Sequence, residues 1–382
     1  MEHVDTVIVG AGLAGCSLAW HLGERVLLLE QGEQAGAEAT AQNAGMVRRL
    51  SEDPIERALS FRSTALLEEQ GEAWGASRVT GAVLALAHDP WHLHDAVAAL
   101  RLRGARVERG TDLPVLRGAR LAEAWTLPDE RVADGHVLVQ GFLRESRAEL
   151  RLGVRVEGLE ASSGRITGLR TSQGPISADR VVLAAGAWCS QLAATLGLRR
   201  PLVPLRRTIL HSQPHPLSHT DHPWVWLDDV GLYFRPEAGG WLASGCDEAV
   251  DRAPPGPGSQ GPVEEEPRAL LLDKLRHIPA LADLKLRGGW SGLRTFAPDR
   301  RPVLGQDEVE GLWWLAGLGG FGVTCCAGAG QVVAAWMRGE AVEDLLPAEV
   351  GPTRRLSTRF PIRPDGTLEG ARLVPTSRSR GT

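Results

Sequence analysis

The stretch Val4–Glu30, VDTVIVGAGLAGCSLAWHLGERVLLLE, decides how the rest of the chain is read. It opens on an apolar run, Val7-Ile8-Val9, too short for a helix of its own. Gly10, Gly12 and Gly15 follow in GxGxxG spacing. An alanine- and leucine-bearing segment leads to a second apolar run, Val26 to Leu29, which ends in Glu30. This order reads as strand, tight turn, helix and parallel strand. Gly10 turns the chain sharply, Gly12 lets a pyrophosphate approach the backbone, and Gly15 lets helix and strand pack closely. With Ala11, Leu13 and Ala14 they form a phosphate-binding turn at a helix N-terminus, where free N–H groups and the dipole favour anions. Glu30, followed by Gln31, is placed to accept hydrogen bonds from ribose hydroxyls. A lone GxGxxG means little in a chain with 45 glycines. Here strand, glycines, helix, strand and terminal acid stand in register, and a dinucleotide site is expected rather than an ordinary βαβ unit. The Gly15–Glu30 interval is a few residues short, so the helix or its exit turn is trimmed.

Working outward, 382 residues suffice for two domains with sizeable cores. A net charge of -5 and a pI near 6.2 give no reason to expect nucleic-acid binding. Lys274 and Lys285 are the only lysines, so arginine carries nearly all the positive charge. Val4 begins a strand almost at once, which leaves no leader pattern, and no apolar run is read as membrane-spanning. Cys16, Cys189, Cys246, Cys325 and Cys326 form no CxxC pair. Free thiols, no metal and a cytoplasmic location are expected.

Residues 31–50 are small, polar and glycine-bearing, and Gln42-Asn43-Ala44-Gly45-Met46 would let backbone N–H groups approach a flat ring system. An ordinary flexible loop is the equal alternative. Arg48 and Arg49 follow it. A helix capped by Ser51 is expected over 52–70, a strand with a bulge at Gly81 over 79–87, and a helix over His92–Arg103. Residues 111–136 read as irregular, and Gly141–Leu152 as an amphipathic helix. Val154–Val156 starts a strand, Ile166–Thr171 and Pro175–Ala178 suggest a hairpin, and Arg180–Gly186 reads as a buried strand before Trp188. Alternating pieces from Leu202 to Gly245 suggest an antiparallel sheet. Residues 251–267, DRAPPGPGSQGPVEEEP, read as a mobile excursion before a helix over Glu264–His277. A strand over Leu312–Ala316 runs through a glycine-rich turn into an alanine-rich helix ending near Arg338. A polar tail starts near Pro347.

Taken together, these segments resemble the family of FAD-dependent amine oxidoreductases that includes D-amino acid oxidase, glycine oxidase and sarcosine oxidase. The carriers are VIVGAGLAG with Glu30, ATAQNAGMVR, Val156 before RVVLAAGAW, GLYFRPEAGG, WSGLRTFAPDRRPVLG and WLAGLGGFGVT, in that order. The resemblance implies an α/β fold: a discontinuous Rossmann-like FAD-binding domain (1–80, 136–200 and 289–345), a substrate domain on a mostly antiparallel sheet (81–135 and 201–288), and a C-terminal tail (346–382). It implies FAD, bound by the N-terminal turn and by residues 42–46 against the flavin. Val156, Ala185, Gly186 and Trp188 would lie near the adenine half. Gly319, Gly320, Phe321, Gly322, Val323 and Thr324 would present a helix N-terminus to the flavin ring. Arg294 matches an arginine that holds a substrate carboxylate, Tyr233 a tyrosine that bonds the same group, and Arg48 an arginine close to the flavin. Gly292 stands near the position of a flavin-linking cysteine, so non-covalent FAD is expected.

The reaction implied is oxidation of a C–N bond in a small amine or amino acid by hydride transfer to flavin N5, with oxygen, a quinone or another carrier as electron acceptor. One alternative is a dehydrogenase of a 2-hydroxy acid or polyol phosphate, with Arg48, Arg206 and Arg207 on a phosphate. Another is a flavoprotein subunit of a multi-subunit dehydrogenase, with Trp224 and Trp226 as contact surface. His211, His215, His219 and His222 read as a polar loop rather than a metal site.

Overall fold

A computed structural model describes residues 2–354 except 90 and 92. Its first sheet is built on strand β1 (Glu2–Val9), helix α1 (Leu13–Leu22) and strand β2 (Val26–Leu29). β1 lies between β2 and the strand Gly174–Leu183, parallel to both, with Val7 beside Leu27 and Val181. Ala148–Arg151 extends the sheet beyond β2, and Leu312–Ala316 extends it beyond Leu183, again in parallel. Successive side chains alternate between two cores. Ile8 and Leu28 pack on the side of α1, whereas Val7, Val9, Leu27 and Leu29 pack on the other. Both faces are covered there, so Val7–Val9, Val26–Leu29, Val181–Leu183 and Leu312–Ala316 each read as an unbroken apolar run.

The long helix Gly322–Met337 lies against α1, with Ser17 Oγ donating to the Cys326 carbonyl (3.0 Å) and His21 Nε2 to the Ala327 carbonyl (3.0 Å). With its entry turn, Gly319–Met337 is long and apolar enough by composition to cross a membrane, contrary to the expectation from the sequence. Its buried positions instead belong to the α1-side core.

A nine-stranded sheet forms the other half. Its spine is the antiparallel pair Val203–Ser212 and Leu286–Phe296, in which Arg207 faces Gly292 and Leu205 faces Arg294. Alternation therefore puts Arg207 and Arg294 on one face and Arg206 on the other. The expected domain boundary at 289 falls inside this strand, which pairs along its length with the second sheet. A small sheet of Met46–Val47, Ser77–Val79 and Arg131–Ala133 links the two halves.

Several elements differ from expectation for local reasons. The helix expected at 141–152 is Gly135–Glu145, because the Asp134 carboxylate accepts from His136 N (2.8 Å) and Val137 N (3.0 Å) and starts it early. Ala148–Arg151 is then free to pair with β2. Residues 111–136 are not irregular: Glu123–Leu127 and Arg131–Ala133 are strands. Asp53, not Ser51, caps the helix Pro54–Leu66, accepting from Ile55 N at 2.8 Å. The strand expected at 79–87 is two, Ser77–Val79 and Ala82–Leu86, in different sheets on either side of Gly81. The helix expected from His92 is described from His94, and most of the expected tail, 355–382, lies outside the described residues.

Candidate active-site cleft

A cleft of about 1910 Å³ runs from the C-terminal ends of the parallel strands to the second sheet. Single small-molecule pockets are typically no larger than about 1,000 Å³, so this one has room for a long cofactor and a substrate together. Its position matches the rule that open parallel sheets bind ligands beyond the carboxyl ends of their strands.

At one end stand β1, its turn and α1. A Cβ on Gly15 would lie 2.0 Å from the Gly10 carbonyl oxygen, so only glycine permits this strand–helix approach. Gly10 itself takes φ +105° and faces the Ala184 backbone. Gly12 is the N-cap of α1, which has no side-chain cap and no acid in its first turn. That helix end is open to an anion from the cleft. Glu30 accepts from Ala11 N (3.0 Å) and Gly32 N (2.8 Å). Burial raises its pKa, and those two N–H groups oppose the rise.

The loop 31–45 folds over this turn. Thr40 Oγ1 accepts from Leu13 N at 3.0 Å, and Asn43 Oδ1 from Gly45 N at 2.6 Å. The segment expected to be mobile is tied down upon it. Glu38 accepts from Gly258 N (2.6 Å) and Ser259 N (2.9 Å), and Trp188 Nε1 donates to the Pro254 carbonyl (2.7 Å). A polar loop gives no sequence signal for these partners, and Thr40, Glu38 and Ser259 were missed for that reason.

Most residues singled out in the sequence line this cleft: Gly10, Gly12, Leu13, Ala14, Glu30 and Gln31 at the turn, 42–46 on the loop, Val156, Ala185, Gly186 and Trp188 on one flank, and 319–323 opposite. Three stand behind it. Ala11 is buried and bonds Glu30, Gly15 packs on Gly10, and Thr324 Oγ1 accepts from Arg48 N at 3.2 Å.

Arg48, Tyr233 and Arg294 line the other end. The Arg48 guanidinium sits between Trp226 and Phe321, 4.0 Å from each ring centroid. Burial lowers its pKa, and Asp228 and Glu56 act against that. Tyr233 is buried and stacks on Trp226 with centroids 5.1 Å apart. Arg294 donates from Nη2 to Glu248 Oε1 at 2.7 Å, and its Nη1 lies 3.1 Å from where a Cβ on Gly320 would stand. Burial and the neighbouring Arg207 lower the Arg294 pKa to about 10, which leaves it charged at neutral pH. Glu248 carried no motif, and Arg300, although it lies within WSGLRTFAPDRRPVLG, was not singled out.

Arg49 and Arg206 are committed elsewhere, and Arg207 shares the carboxylate that holds Arg294. Arg49 donates from Nε to the buried Glu130 at 3.0 Å, and Arg206 from Nε to Asp251 at 2.6 Å. Arg206 is thus turned away from any phosphate in the cleft, and Arg207 is drawn to Glu248 and the Asp247 carbonyl. Trp224 is no surface contact: it is buried, with Nε1 donating to the Arg131 carbonyl, and Trp226 covers Arg48.

With this geometry in place, the chain was compared with known proteins. The sequence pattern of the FAD dependent oxidoreductase family matches residues 5–336. A D-amino acid dehydrogenase of Cereibacter sphaeroides is 29% identical over 357 residues, which cover 87% of this chain and 77% of that protein. The solved L-proline dehydrogenase from P. horikoshii superposes with a TM-score of 0.80 at 22% identity, covering 92% of this chain and 97% of its own. The iminodiacetate oxidase from Chelativorans sp. BNC1 gives 0.74 at 28% identity, covering 91% and 98%.

Proposed function

Since this chain belongs to the FAD dependent oxidoreductase family, we propose that it oxidises the C–N bond of a small amine or amino acid that carries a carboxylate. The observation that supports this most is the joining of two sites in one cleft. A phosphate-accepting helix N-terminus stands at one end and Arg294 at the other.

The residues present fit FAD. The crowding at Gly10 and Gly15 leaves a bare backbone cradle, and the start of α1, whose Leu13 N–H is taken by Thr40 Oγ1, offers its remaining first-turn N–H groups to the pyrophosphate. Glu30 stands at the end of β2, as ribose recognition requires. The turn 317–322 brings the start of the helix Gly322–Met337 to the far end of the cleft, where its dipole favours negative charge on the ring system. Gly292 offers no nucleophile, and a Cβ there would press on Gln42. Burial keeps the Cys326 thiol protonated, with its pKa pushed up to about 12, and raises Cys325 as well. These features support a non-covalent cofactor.

FAD, when bound, supplies a hydride acceptor at N5. The protein's part is to orient. Arg294 holds the substrate carboxylate by charge-assisted hydrogen bonds, and Tyr233 borders the same space. The stacked Trp226, Arg48 and Phe321 form a wall that limits water and bulk. A substrate amine that binds neutral needs no base from the chain, and the imine product hydrolyses in water. The activities for which the D-amino acid dehydrogenase and the iminodiacetate oxidase are named support this class of reaction. Five free cysteines support a reducing, cytoplasmic setting.

The test is Arg294→Ala in the FAD-loaded protein. The flavin spectrum stays normal while KM for the best amino acid rises about a hundredfold. An unchanged KM would remove Arg294 from substrate binding.

A further inference from the structure

The substrate end of the cleft holds an ion cluster that the proposed reaction does not require. Glu248 follows the strand Gly240–Ser244 by a short turn in which Cys246 takes φ +56°. Its Oε1 accepts from Arg294 Nη2 at 2.7 Å, Arg300 Nη2 at 2.8 Å and Arg207 Nη2 at 3.3 Å. Its Oε2 accepts from Arg300 Nη2 at 3.1 Å. Burial alone would raise the Glu248 pKa, but Arg294, Arg207 and Arg300 outweigh it and hold the group at about 2. The carboxylate is therefore ionised throughout the working range.

Donors exceed acceptors here. Arg294 Nε and Arg300 Nη1 are buried without a hydrogen-bond partner among the described residues. Such orphaned donors are costly unless a ligand completes them. Arg300 is also held at φ +63°, a conformation that non-glycine residues adopt only when their surroundings impose it. Arg49, in a structural pair with Glu130, also leaves Nη2 without a partner among the described residues, so the convergence of three guanidinium groups on one carboxylate is what sets this cluster apart. Three guanidinium groups turned on one point form an anion-binding site, and Glu248 is its resident anion.

We propose that Glu248 competes with the substrate carboxylate for Arg294 and so determines how tightly the cleft holds simple monocarboxylates. The inference rests on the reading of Arg294 as the carboxylate holder. In the native protein Arg294 divides its donors between Glu248 and the ligand, so a carboxylate alone binds weakly and the amine portion must supply the selectivity. Neutralising Glu248 leaves Arg294, Arg207 and the half-buried Arg300 without this anion, and an external carboxylate then takes its place.

The experiment titrates the FAD-loaded protein with propionate and with its neutral isostere propionamide, followed by the flavin difference spectrum. Glu248→Gln tightens propionate binding by at least about tenfold and leaves propionamide unchanged. Glu248→Asp keeps the charge but withdraws it from Arg294, and tightens propionate less; it serves as the test if the Gln variant does not fold. Equal or weaker propionate binding in the folded variants overturns the proposal. Arg294→Met separates this failure from that of the reading beneath it. If Arg294→Met abolishes propionate binding while the Glu248 variants bind as the native protein does, Arg294 keeps its role and the competition is refuted. If Arg294→Met binds propionate normally, both fall.

Discussion

Gly15 and Arg49 show how single residues divide between function and fold. Gly15→Ala would drive its methyl into the Gly10 carbonyl. We expect the variant to bind FAD at least about tenfold more weakly, read as flavin lost on gel filtration. Arg49→Ala strands the Glu130 carboxylate, which is 1% exposed. Removing one partner of a buried pair costs about 3 kcal/mol or more, measured as a lower urea midpoint, and flavin content of the folded fraction should not change. Gly15 was legible in the sequence because a clash-forbidding glycine sits at a fixed spacing from others. The split between Arg48 and Arg49 was not, since two adjacent arginines look alike until the chain leaving the strand Met46–Val47 sends one to Trp226 and Phe321 and the other to Glu130. Glu248 was silent for a related reason. Its meaning comes from three arginines brought to it by strands 286–296 and 203–212 and by the turn at Arg300.

The apolar runs at β1, β2 and Leu312–Ala316 came out as strands, whereas the strand expected at 79–87 and the helix expected at 141–152 did not come out as expected. β1 and β2 are buried on both faces, so the run itself carries the signal. The helix at 135–145 was misplaced because its start depends on one cap, Asp134, and its end on a strand that completes the sheet edge. Helix packing also carries a pH signature. His21 joins α1 to the helix Gly322–Met337, and burial lowers its pKa to about 4, with the Ala327 carbonyl acting against the shift. The unfolded chain binds this proton near pH 6.5, whereas the folded chain refuses it until about pH 4. Stability from this site is therefore full above about pH 6.5 and declines as pH falls toward 4. The expected loss is on the order of 1–2 kcal/mol, because the ring is partly exposed. His21→Gln should flatten the thermal-unfolding profile between those pH values. An unchanged slope would show that another group titrates there.

At the scale of the molecule, the two sheets meet so that a nucleotide-accepting turn and an arginine-lined substrate end share one cleft. The order of segments made this architecture legible, since six motifs fell in family order. The closing contacts were not: the proline-rich segment is held by Glu38 and Trp188 through backbone atoms, which leave no pattern in side-chain identity. The most direct measurement is the absorbance spectrum of the purified protein, followed by anaerobic titration with D- and L-amino acids, glycine, sarcosine and 2-hydroxy acids. The account predicts a flavin spectrum that one amine or amino acid bleaches and that hydroxy acids leave intact. A flavin bleached only by hydroxy acids, or no flavin even after reconstitution with FAD, would contradict it.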